Sequence, residues 1–235
     1  MYTGKKAVIF DLDGTLIDSL GIWHAVDVEL VTRLGRPDLA GAPLSRLREE
    51  ALVRHRAEDN PYVGYCAELG EYCRSALSGK AIHALRFRIS RELLRTRVML
   101  KPGAAEAVGV MHRAGLALAV ATTTRKANVD IYRSSNEHIP QLLNFDCFQF
   151  ILTSEDVTRI KPDPEVYLKA LSRLGVTPAE ALVFEDTLQG LKAAQAAGID
   201  TVVIRDKWSE EDRETLKRRA LRYYETWADV PLPRA

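Results

Sequence analysis

Residues 7–16 read Ala7-Val8-Ile9-Phe10-Asp11-Leu12-Asp13-Gly14-Thr15-Leu16. Four apolar residues in a row, without polar alternation, are the pattern of a strand covered on both faces. The run stops at two aspartates and a glycine. In a parallel α/β sheet, ligands bind beyond the carboxyl ends of the strands, which is where Asp11 and Asp13 fall. Extended geometry turns residues two apart to the same side, so both carboxylates can face one ligand. Carboxylates that close raise each other's pKa unless a cation lies between them or one keeps a proton. Gly14 then permits a tight turn. The four fixed letters of D-x-D-G-T arise by chance about once in 10⁵ positions at average composition, so an acidic strand end without function is the poorer reading.

Four more short apolar runs follow: Leu116 to Ala121, Phe148 to Leu152, Ala181 to Phe184 and Thr201 to Ile204. Helical patterns separate them. Pro102 to Arg113 runs toward Gly115, Pro164 to Leu174 ends at Gly175, and Leu188 to Ala197 ends at Gly198. Proline at the first turn and glycine at the stop are the expected punctuation of a helix. Strand and helix in alternation predict a doubly wound, Rossmann-like parallel α/β sheet. From Asp18 to Met99 the rhythm breaks and only helical spacing appears, in Ile22, Val26, Leu30 and Leu34, then in Ile82, Leu85, Ile89 and Leu93. That interval is far longer than a βα connection. The reading is a catalytic core of residues 1–17 and 100–235 with a helical domain, residues 18–99, inserted after the first strand. Within it run Arg86, Arg88, Arg91, Arg95 and Arg97, of which Arg88, Arg91 and Arg95 share one helix face at i, i+3 and i+7; a solvated face is the first reading, an anchor for a second acidic group of the substrate the other.

Other strand ends carry chemistry too. Thr122-Thr123-Thr124 follows the second run, Lys161 precedes Pro162 after the third, and Glu185-Asp186-Thr187 ends the fourth. Taken singly, these are a helix cap, a solvated lysine and an acidic N-cap. Taken together, they bring carboxylates, hydroxyls and an ammonium to one edge of one sheet. Carboxylates suit a hard ion such as Mg²⁺, while Thr and Lys suit a phosphate.

In this ordered set the chain resembles the haloacid dehalogenase-like phosphohydrolases. Asp11–Thr15, Thr122, Lys161 and Glu185-Asp186 match that family's four motifs in order, and the resemblance extends through Phe184 to Ile199. It points to the branch with a helical cap after the first motif, which includes phosphoglycolate phosphatases and β-phosphoglucomutases. The resemblance implies catalytic roles for Asp11 as nucleophile, Asp13 as acid and base, and Thr122 and Lys161 as partners of the phosphoryl oxygens. It implies phosphate binding by Thr122, Thr123 and Lys161, with the N–H groups of Leu12 and Thr123 as further donors. It implies Mg²⁺ held by Asp11, the Asp13 carbonyl, Glu185 and Asp186. Two departures stand out: Ile160 replaces the usual glycine before the lysine, and Ser134 to Phe148 is long for its place.

The implied reaction is hydrolysis of a small phosphomonoester through an aspartyl-phosphate. A sugar phosphomutase is the alternative within the family, and a weakly catalytic regulatory protein on the same fold is a second. Against a mutase, Trp23 stands where β-phosphoglucomutase-like relatives carry a histidine, with His24 one position beyond. A P-loop fails because Arg74 stands where the first glycine before Gly79-Lys80 would be, and no GxGxxG follows the first run. The chain has 235 residues, and 33 basic against 32 acidic side chains give no electrostatic reason for a nucleic-acid or membrane partner. Three cysteines make no disulfide framework. The expectation is a cytoplasmic monomer acting on a small phosphorylated metabolite.

Overall fold

The computed structural model describes residues 1–233; Arg234 and Ala235, included in the expected core, lie outside them. The chain divides into two compact units, Met1–Leu20 with Val98–Ala235, and Gly21–Arg97.

The first unit is built on a parallel sheet. Its strands are β1 (Ala7–Phe10), β4 (Ala117–Ala121), β5 (Phe148–Leu152), β6 (Ala181–Glu185), β7 (Asp200–Ile204) and β8 (Arg222–Tyr224), in the order β5-β4-β1-β6-β7-β8. The five apolar runs form the first five of these. The sixth, β8, pairs Val202 with Arg222 and Ile204 with Tyr224 at the sheet's edge. Its three residues are Arg222, exposed, and Tyr223 and Tyr224, partly buried, so it carries no apolar run for a sequence reading to find. The chain leaves β1 for β4 and β5 on one side, then returns to fill β6, β7 and β8 on the other. β1 therefore lies at the point where strand order reverses, with Ala7 paired to both Ala117 and Ala181.

Alternation along β1 and β6 divides the core between two faces. Ile9 and Val183 pack with Val166, Tyr167 and Ala170 of α8 (Glu165–Leu174) and Ala193 and Ala194 of α9 (Leu188–Ala196). Phe10 and Phe184 turn the other way and stack at 5.5 Å, with Trp227 4.8 Å beyond Phe184. One pairing lay below the reach of periodicity. Two-residue strands β2 (Ile17–Asp18) and β3 (Met99–Leu100) form an antiparallel ribbon, Ile17 opposite Leu100. The Lys101 N–H extends it by donating to the Leu16 carbonyl at 2.8 Å.

The second unit is helical, as its spacing predicts: α1 (Ile22–Arg33), α2 (Leu44–Arg54), α3 (Pro61–Tyr72) and α4 (Gly79–Thr96). Val26, Leu30, Ile82 and Ile89 are fully buried within it. The arginine run divides. Arg88, Arg91, Arg95 and Arg97 are exposed, but Arg86 is buried. Its Nε donates to Asp27 Oδ1 at 3.0 Å, while Arg48 binds Oδ2 of the same carboxylate. The Arg86 guanidinium also lies 5.1 Å from the Tyr62 ring centroid and 5.7 Å from that of Trp23. Position 86 falls on the buried side of α4 beside Ile82 and Ile89, and a buried guanidinium needs a carboxylate. Among the described residues no helix is long and apolar enough to cross a membrane.

Asp27→Ala should therefore cost about 3–5 kcal/mol, since it leaves Arg86 buried without its partner. Urea unfolding followed by circular dichroism measures it, and a change below about 1 kcal/mol would show the pair to be dispensable.

Candidate active site

The site lies where β1, β4 and β6 end. The Asp11 N–H continues the ladder by donating to the Phe184 carbonyl at 2.9 Å, which turns its side chain in beside β6. Lys161 Nζ is 2.5 Å from Asp11 Oδ1, 2.6 Å from Glu185 Oε1 and 2.9 Å from the Ala121 carbonyl. One ammonium thus joins the ends of three strands, and it is buried.

Glu185 has little capacity left. Its Oε1 also accepts from the Tyr167 hydroxyl at 2.7 Å, and Oε2 accepts from the N–H groups of Asp186 and Thr187 and the Thr187 hydroxyl. A β-carbon at Gly190 would fall on this carboxylate, so glycine there makes the room. The Gly190 N–H donates to Thr187 Oγ1 at 3.0 Å, making Thr187, rather than the acidic pair, the N-cap of α9.

Asp186 differs sharply from its neighbour. It is fully buried, its Oδ1 accepts from Thr15 Oγ1 at 3.0 Å, and Oδ2 has no partner among the described residues. Gly14 has φ +85°, and a β-carbon on it would run into that same Oδ2. The turn after Asp13 thus needs glycine for its conformation and for the close approach of Asp186.

Electrostatics sort these groups. Burial works against the Lys161 ammonium, but Asp11 and Glu185 outweigh it and hold its pKa above the ordinary value. Burial would also raise Glu185, yet Lys161 and the hydrogen bond from Tyr167 keep it below the usual carboxylate range. Glu185 is therefore the counter-charge of Lys161. Asp11 is pushed up to about 7, first by burial and then by Glu185 and Asp13 against the pull of Lys161. Burial, Glu185 and Asp11 drive Asp186 well above its usual value. Two buried acids are left short of positive charge.

Oxygens of Asp11, Glu185 and Asp186 lie within 4.8 Å of one another. An all-oxygen set with one unpartnered carboxylate oxygen and excess negative charge fits a hard divalent cation such as Mg²⁺. Asp11 and Asp186 have the capacity to bind it directly, and Glu185 stands behind them.

Asp13 lies apart from these charges. Its Oδ1 accepts from Ser19 Oγ and from the Tyr132 hydroxyl, the latter at 2.9 Å, and its Oδ2 accepts from Thr124 Oγ1. Thr122 is buried at the end of β4, its N–H on the Leu152 carbonyl and its Oγ1 accepting from the Thr124 N–H at 3.1 Å. Thr123 is exposed, as is Ile160. The partners Thr15 and Thr124 lie inside motifs already quoted. Ser19, Tyr132 and Tyr167 have no sequence signal, since a tyrosine in a helical pattern reads as core.

The haloacid dehalogenase-like hydrolase family matches residues 8–204. The chain belongs to that family. It is 32% identical over 213 residues to the protein CbbY of Rhodobacter capsulatus, covering 88% of each chain. It is 29% identical over 197 residues to a phosphorylated carbohydrates phosphatase of Thermotoga maritima, covering 84% of this chain and 83% of the relative. Among solved structures, it superposes with a TM-score of 0.66 on a variant of CbbY from Rhodobacter sphaeroides in complex with xylulose-1,5-bisphosphate. That likeness covers 96% of both chains at 25% identity.

Gly14→Ala tests the turn. It should cost at least about 1–2 kcal/mol for the left-handed backbone, with more from displacement of Asp186. Calorimetric unfolding reads the loss, and an unchanged midpoint would show that the turn relaxes freely.

Proposed function

We propose that this hydrolase is a Mg²⁺-dependent phosphatase of small phosphomonoesters, of the phosphosugar or phosphoglycolate type, working through a phosphoryl group on Asp11. The observation that carries the reading is the pair of buried acids, Asp11 and Asp186, beside a buried lysine, with one carboxylate oxygen free. The names of the relatives support the substrate class: one is a phosphatase of phosphorylated carbohydrates, and another structure holds a sugar bisphosphate.

In the first step an Asp11 oxygen bonds to phosphorus as the bond to the leaving oxygen breaks. The leaving oxygen keeps that electron pair and takes a proton from Asp13. In the second step a water oxygen bonds to phosphorus and gives its proton to Asp13, while the Asp11 carboxylate leaves. Lys161 and Thr122, at the ends of β1, β4 and β6, neutralise the non-bridging oxygens, where charge gathers in the transition state. The Thr123 and Leu12 N–H groups are candidate donors to the same oxygens. Mg²⁺, held by Asp11, the Asp13 carbonyl and Asp186 with Glu185 close by, would supply the positive charge that lets an anionic nucleophile meet an anionic substrate.

Asp11→Asn removes the nucleophile's charge, and kcat should fall about 10³-fold or more in an assay of phosphate release with Mg²⁺. Activity within about tenfold of the parent would refute the assignment. Chelation should abolish turnover, and Mg²⁺ should restore it. Incubation with β-glucose 1-phosphate and a trace of the 1,6-bisphosphate separates hydrolysis from mutase chemistry. Free phosphate should outrun glucose 6-phosphate. His24, whose Nδ1 lies 3.3 Å from Ser45 Oγ in the helical unit, should be dispensable.

A further inference from the structure

Tyr132 is almost fully buried, yet its hydroxyl is not spent on the core. It donates to Asp13 Oδ1 at 2.9 Å across 119 residues of sequence. The residue sits on a π-helical turn, Ile131–Ser135, that continues the short helix α6 (Lys126–Asp130) after the Thr122–Thr124 segment. That turn is anchored at its far end. The Asn136 N–H closes it onto the Ile131 carbonyl at 2.8 Å, and Asn136 Nδ2 donates to the Val98 carbonyl at 3.0 Å. π-turns are rare and recur at functional sites because they re-aim a side chain.

We propose that Tyr132 is a positioning residue for the acid–base group: with Ser19 and Thr124 it holds the Asp13 carboxyl in the orientation that proton transfer requires. The inference rests on the phosphatase reading of Asp13. Ser19 and Tyr132 both occupy Oδ1, whereas Oδ2 has Thr124 as its partner among the described residues. Oδ2 therefore keeps a lone pair, and it is the oxygen that gives the proton to the leaving oxygen and takes one from water. The chemistry of the cage suits a group that must be protonated and ionised in turn. A hydroxyl donates to a carboxylate and accepts from a carboxylic acid by rotating its hydrogen, whereas an ammonium or guanidinium would lock the ionised form. Tyr132 differs from the other two in rigidity. Serine and threonine hydroxyls swing about χ1, while a buried tyrosine places its oxygen through a ring fixed by packing.

Phenyl phosphates that differ in their leaving group test the proposal, because kcat/KM reports the step in which the leaving oxygen departs. p-Nitrophenolate leaves with little help, while unsubstituted phenolate needs its proton from Asp13. Tyr132→Phe keeps the ring and should lose at least about fivefold more kcat/KM on phenyl phosphate than on p-nitrophenyl phosphate. Thr124→Val removes a second donor and should steepen the leaving-group dependence in the same sense; it decides the matter if Tyr132→Phe does not fold. The double variant Asp13→Asn/Tyr132→Phe should be no slower than Asp13→Asn, because Tyr132 acts only through that carboxyl. Equal loss on both substrates, no loss on either, or additive loss in the double variant would overturn the proposal. If Asp13→Asn itself shows no steeper leaving-group dependence than the parent, the acid–base reading of Asp13 fails instead.

Discussion

The buried ammonium of Lys161 is the interaction on which the carboxyl edge of the sheet depends. It touches a residue or carbonyl from β1, β4 and β6 at once. Burying a lysine is costly, and close, well-directed contacts are what offset the cost. Glu185 makes that possible, and Glu185 is in turn held by Tyr167 of α8 and by Thr187 at the start of α9. The position of Asp11 therefore traces back to how two helices pack on the sheet face that carries Ile9 and Val183. Core packing and site geometry are one problem here.

Two aspartates two residues apart have received opposite surroundings. Asp11 lies among formal charges: an ammonium on one side and the carboxylates of Glu185 and Asp186 on the other. Asp13 lies among neutral hydroxyls that can reverse their hydrogen bonds. On the proposed reading, those contrasting environments separate a nucleophile from an acid–base group. The separation arises from Gly14, whose turn brings Asp186 against one aspartate while the chain carries the other toward Ser19.

Much of this is legible in the sequence. Unbroken apolar runs identify strands covered on both faces, and three of the five, β1, β4 and β6, end at Asp11, Thr122 and Glu185, because ligands bind beyond those ends. The rest leaves no local pattern, for physical reasons. β8 is half-exposed at the edge, and the β2–β3 ribbon is too short to show a period. Arg86 shares its composition with exposed neighbours and differs only in facing Asp27, on another helix. Glu185 and Asp186 are adjacent letters of similar chemistry. Only the donors around them show that one is saturated while the other has an oxygen to spare. Tyr132 and Tyr167 are the clearest case, since a hydroxyl's partner across the fold leaves no trace in local spacing.

The β2–β3 ribbon has a consequence for how such a protein can change. Seen from the sheet, the chain leaves at Asp18 and returns at Met99 as the two arms of a hairpin, and the helical unit is its loop. Closing a loop costs entropy that grows only with the logarithm of its length. An insert of any size whose ends meet about 5 Å apart satisfies the same two-residue clasp. The clasp is a socket: the sheet and its acidic edge keep their design while the helical insert is free to be exchanged, lengthened or rebuilt.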